Sequence, residues 1–77
     1  MKAKIEVRGR KEWLEIISKT FVDEVEERRS RAKIYLTPES LVVEIDADDL
    51  AALRASVNSY LRLLRACVET LEVMEDG

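Results

Sequence analysis

The side chains that most often carry catalysis are nearly absent from this chain. Its 77 residues contain no histidine, which excludes a Ser-His-Asp triad and any His-based metal site. Gly9 and Gly77 are the only glycines, so no glycine-rich loop can wrap backbone amides around a phosphate. The single Cys67 can form no intrachain disulfide, cannot anchor a structural zinc alone, and has no obvious activating base. At the edge of an apolar helix stripe it reads as a small core residue. Asp46, Asp48 and Asp49 could hold a hard cation, but their spacing does not match a calcium loop. A helix N-terminus accounts for them better, with Asp46 and Asp49 spaced as in a capping box and Asp48 and Asp49 placing negative charge in the first turn. No catalytic residue, metal or cofactor is assigned, and the chain is not expected to be an enzyme.

Binding surfaces are the remaining source of function, and two stand out. Arg54, Asn58, Arg62 and Arg65 share one side of a helix through spacings of four, four and three. They form either a solvated face, with Arg65 pairing Glu69 or Arg62 pairing Glu69 at the wider reach, or a functional contact. Lys4, Arg8, Arg31, Lys33 and Tyr35 fall on the outward positions of strands. Basic residues around an aromatic ring can bind single-stranded nucleic acid by charge and stacking. One tyrosine is a thin platform, however, and Glu6 and Glu44 dilute the charge, so plain solvation is the competing account.

The helix carrying the arginines spans Asp46 to Met74 and organises the chain. Placed about 100° apart around the axis, Leu50, Leu53, Val57, Tyr60, Leu61, Leu64, Cys67, Val68 and Leu71 form a wide apolar arc that must be buried. Arg54, Asn58, Arg62, Arg65, Glu69 and Glu72 lie roughly opposite. Between them runs a third face of small or modest residues: Ala52, Ala55, Ser56, Ser59, Leu63, Ala66 and Thr70. Small side chains permit close approach of another helix. One helix thus carries two faces suited to burial.

The preceding segments supply a sheet for the first of those faces. Ala3, Ile5 and Val7 alternate with Lys2, Lys4, Glu6 and Arg8, the period of a half-buried strand, which Gly9 ends. From Arg10 the period becomes helical, aligning Trp13, Leu14, Ile17, Phe21 and Val25, with Ile16 and Val22 off the stripe as a second contact surface. The charged run Glu24 to Arg29 closes this segment, with the helix ending near Glu27. Ala32, Ile34 and Leu36 then alternate with Arg31, Lys33 and Tyr35. After the turn Thr37-Pro38-Glu39-Ser40 comes Leu41 to Ile45, with Leu41, Val43 and Ile45 inward and Val42 and Glu44 outward. The short connection makes these two strands antiparallel.

The order β-α-β-β-α predicts a two-layer α+β domain occupying residues 1–77, a three-stranded sheet with both helices on one face. An all-antiparallel sheet, with the third strand between the other two, is the preferred arrangement. Thirteen basic and sixteen acidic residues give a net charge of −3, which argues against a free-standing DNA binder. No apolar run approaches 18 residues, and no signal peptide or lipidation motif is visible. A soluble cytoplasmic protein with no membrane association is expected. A core this small contributes only about 3–5 kcal/mol, so self-association or docking on a partner would add stability.

The run Ala51-Ala52-Leu53-Arg54-Ala55-Ser56-Val57-Asn58-Ser59-Tyr60-Leu61-Arg62-Leu63-Leu64, preceded by Asp48-Asp49, resembles the signature of the Pcc-type proteins. These are the small dimerising subunits of the KEOPS complex, related to the CTAG/LAGE group. Element order and length match as well. The resemblance implies a non-catalytic homodimer that binds the Kae-type transferase subunit through its helices. Through that enzyme it would meet the Bud-type kinase and the Cgi-type subunit. It would help tRNA engagement while the complex forms threonylcarbamoyl-adenosine beside the anticodon. On that reading the transferase-docking candidates are Ala52, Ser56, Ser59, Leu63 and Ala66, with Ile16 and Val22 from the first helix. The tRNA-contact candidates are Lys4, Arg8, Arg31, Lys33, Arg54 and Arg62. A stand-alone RNA-binding domain is the alternative; it needs a basic face and should bind tRNA unaided, with strong salt dependence.

Overall fold

A computed structural model describes residues 1–21 and 24–76. The elements in chain order are β1 (Lys2–Arg8), α1 (Lys11–Thr20), β2 (Glu24–Glu26), β3 (Ser30–Leu36), β4 (Ser40–Ala47) and α2 (Leu50–Asp76). The three expected strands form an antiparallel sheet with the last of them, β4, in the middle. The three-residue β2 extends it on the far side of β3, giving the order β1-β4-β3-β2.

Alternation decides which side of the sheet is covered. Ala3, Ile5 and Val7 on β1, Ala32 and Ile34 on β3, and Leu41, Val43 and Ile45 on β4 share the helix side. There they pack with Leu14 and Ile17 of α1 and Tyr60, Leu64 and Leu71 of α2. Phe21 closes one end against Tyr60, with ring centroids 6.1 Å apart. At the other end Arg10 stacks over Trp13 and pairs with Glu75. The start of α1 therefore meets the end of α2, and the two helices run antiparallel.

The first helix is shorter than its apolar spacing predicts. It stops at Thr20, and Phe21 is already extended, so the expected end near Glu27 is wrong and Val25 is not on the helix stripe. Val25 instead pairs with Ala32, with Glu24 in register with Lys33 and Glu26 with Arg31. Phe21 is aromatic and Val25 β-branched, types that favour extended backbone. A hairpin against β3 also satisfies backbone groups that a fraying helix end would leave open.

The long helix also begins later than expected. Asp46 belongs to β4, where it lies opposite Lys2 and Arg31, so it is not the cap. Asp49 is: its Oδ1 accepts the Ala52 amide at 2.8 Å, and its carbonyl accepts that of Leu53 at 3.0 Å. The two residues carry similar sequence signals, but only Asp49 stands where the strand has ended.

Burial around α2 is narrower than the predicted arc. Leu53, Val57, Cys67 and Val68 are partly buried against the core, but Leu50 and Leu61 are about half exposed. A sheet covers one side of a cylinder, and these two sit on the uncovered flank. Leu36, expected inward, is likewise exposed at the end of β3. Val42, expected outward, does lie on the face away from the helices, yet only 1% of it is exposed. Its cross-strand neighbours are Glu6 and Tyr35, whose length can shield a short side chain on the central strand.

Candidate partner-docking surface

Helix α2 has 27 residues, about 40 Å of rise, and runs the length of a molecule 42 Å in its longest dimension. The sheet cannot cover that much helix. On the side away from the sheet, Ala55, Ser59, Leu63, Ala66 and Thr70 are exposed and uncharged. Arg54, Arg62, Arg65, Glu69 and Glu72 occupy the neighbouring strip. Leu63, at 50% exposure, is the largest apolar residue of this stripe between Ala52 and Thr70. Ile16 of α1 is 49% exposed.

The transferase-docking candidates divide into two groups. Ser59, Leu63, Ala66 and Ile16 are open to solvent. Ala52 and Ser56 are half-buried, and the Ser56 hydroxyl lies 2.9 Å from the buried Ser30 hydroxyl, so Ser56 is committed to joining α2 to β3. Val22 lies outside the described residues. Below Ser59 and Leu63 the surface dips into a 660 Å³ groove between α2, the end of α1 at Thr20 and Phe21, and the turn before β3 at Arg28 and Arg29. This turn is clasped to the start of α2: Arg29 pairs with Asp49, Arg31 with Asp48 at 3.1 Å, and the Asp48 amide donates to the Arg29 carbonyl at 3.0 Å. The three aspartates thus face cations, the third being the terminal amine 3.7 Å from Asp46. No cluster of three metal-ligating side chains occurs among the described residues.

The tRNA-contact candidates do not form one surface. Lys4, Arg8, Arg31 and Lys33 project from the open side of the sheet; Arg54 and Arg62 are exposed on α2, in the other layer. Register also interleaves opposite charge on the sheet. Glu44 lies between Lys4 and Lys33, and Asp46 between Lys2 and Arg31. Arg8 pairs with Glu6 at 3.0 Å. Tyr35 donates to Glu44 at 2.6 Å, and that hydrogen bond, ahead of burial and the charges of Glu44 and Glu6, raises its pKa above the ordinary value. Burial, with the Glu27 charge, raises that of Tyr60. Arg65 meets Glu69 at 3.1 Å, whereas Arg54 and Arg62 make no ion pair among the described residues. The neutralising pattern of the sheet was readable only in part, because cross-strand neighbours depend on register.

No described helix is long and apolar enough to cross a membrane. The family described as "Transcription factor Pcc1" matches residues 13–72, which include most of both helices. A protein named KEOPS complex subunit Pcc1, from Pyrococcus abyssi (strain GE5 / Orsay), is 39% identical to this chain over 46 residues. That match covers 60% of this chain and 56% of the relative. With the family's pattern extending over most of the molecule, from the first turn of α1 to the last turns of α2, the chain belongs to the Pcc1 family.

Proposed function

We propose that this chain is a non-catalytic, homodimeric scaffold subunit of a KEOPS complex, supporting threonylcarbamoyl-adenosine formation in tRNA. Family membership and the similarity to a protein of that name support the complex. The observation that carries the scaffold role is the open, uncharged stripe Ser59, Leu63 and Ala66 on α2, with Ile16 half-exposed on α1. A helix presenting small residues and a half-exposed leucine suits helix-against-helix docking, and the Kae-type transferase is the occupant proposed. Through it the chain meets the kinase and Cgi-type subunits. Its own contribution to tRNA engagement falls to Arg54 and Arg62, because the sheet cations lie next to carboxylates.

The test is capture of this chain by the transferase. Ser59→Arg and Ala66→Arg place a long charged side chain on the stripe without touching the core, and each should weaken capture at least about tenfold. Thermal melting should be unchanged within about 0.5 kcal/mol. Wild-type capture that survives both substitutions would place the enzyme elsewhere on the molecule.

A further inference from the structure

We propose that the two ion pairs joining the turn before β3 to the start of α2 form a salt-sensitive tie. The tie sets the width of the groove beside the docking stripe, so docking depends on ionic strength through this chain's own charges. The proposal rests on the scaffold reading above and adds a means of regulating the same face.

The groove has two walls of different kinds. One is helix α2, at Ala52, Ala55 and Ser59; the other is the turn, at Glu27, Arg28 and Arg29. Ser59 and Leu63 line the groove and also belong to the uncharged stripe, so a shift of the turn wall changes the shape that the stripe offers a partner.

The helix wall is anchored in the core through Tyr60 and Leu64, but the turn wall is not. The ladder between β3 and β4 ends at Ser30, opposite Ala47. Ser30 is buried, with its hydroxyl 2.9 Å from that of Ser56, and forms the pivot. On the far side of this pivot the Glu27 amide donates to the Ser30 carbonyl at 2.8 Å, which closes the turn on itself rather than on α2. The links from the turn to the helix start are one backbone hydrogen bond, from the Asp48 amide to the Arg29 carbonyl, and the pairs Arg29–Asp49 and Arg31–Asp48. All four charged side chains are about half exposed.

Exposed pairs contribute little to global stability, but a turn can open without global unfolding, and there two pairs decide the balance. The Debye length falls from about 10 Å at 0.1 M salt to about 3 Å at 1 M, the separation of the paired atoms. Ser59, Leu63 and Ala66 carry no charge, so docking on the stripe alone has nothing for salt to screen.

Amide exchange in the free chain tests the tie. Over this range of sodium chloride, exchange at Asp48 should speed up about fivefold. The Thr37 amide, bound to the Ser40 carbonyl at the other end of the same strand pair, should not change. Arg29→Gln combined with Arg31→Gln leaves the Asp49 cap in place and should give the faster Asp48 exchange at both salt concentrations. Transferase capture should weaken about fivefold over the same range for wild type, and be weaker and independent of salt for the double variant. Arg65→Gln, which breaks a pair outside the groove, should keep the wild-type salt response. An Asp48 amide indifferent to salt, or a double variant that keeps the wild-type salt response in capture, would overturn the proposal. A transferase that captures no wild-type chain at any salt would instead sink the scaffold reading, and amide exchange would still decide the tie.

Discussion

Asp49 stands one residue before α2, where one carboxylate oxygen accepts the Ala52 amide and the other meets Arg29. Removing it strips the helix of its cap and the β3 turn of its clasp. Asp49→Ala is expected to cost about 1–2 kcal/mol, seen as a Tm several degrees lower. Asp46→Ala should cost well under half as much, because its pairing with the terminal amine is solvent-exposed and such pairs contribute little. At the same scale, Glu44 holds the Tyr35 proton. The folded pKa of Tyr35 lies above its unfolded value, so any stabilisation from this bond is present below the unfolded value and is lost as pH rises through the folded one. Glu44→Gln should lower the Tyr35 pKa, measured by tyrosinate absorbance, and leave that of Tyr60 raised.

Among the elements, α2 is the one whose surface exceeds what the chain covers. Its last turns show the division between core and overhang. Leu71 is buried, and Leu71→Ala should cost about 2–4 kcal/mol in a denaturant melt. Val73, two residues on and 72% exposed, should tolerate alanine within about 0.5 kcal/mol. The α1–β2 segment teaches the opposite lesson. The apolar positions Trp13, Leu14, Ile17 and Phe21 all meet the core as helical spacing predicts, yet Val25 at the next expected position is in a strand. Spacing alone could not distinguish one more turn of helix from a three-residue hairpin arm, because the choice depended on β3 being available to pair.

For the molecule as a whole, the distribution of charge separates a scaffold from a free-standing RNA binder. Cations on the open face of the sheet sit beside carboxylates by register, and those on α2 lie in the other layer. Among the described residues such an arrangement offers no continuous basic stripe of the kind that binds tRNA strongly unaided. In an assembled complex, replacing Arg54 and Arg62 together by alanine should weaken tRNA binding by several-fold and reduce its salt dependence by up to two counterions. Replacing Lys4 and Lys33 by alanine should leave both nearly unchanged. Filter binding across a salt series would distinguish the two pairs.

Local pattern was sufficient for the type and order of the principal elements and for most of the core. Period-two and helical spacing each turn a definite set of side chains to one side, and the hydrophobic effect requires that side to be covered. The long helix and its small-residue stripe were legible for the same reason. What required the tertiary structure was every outcome set by a neighbour distant in sequence. The end of α1 was decided by β3, the burial of Val42 by its place on the central strand, the choice of cap by the length of β4, and the neutralisation of the sheet lysines by register. These are competitions between alternatives of similar local energy, and contacts across the sheet decide them.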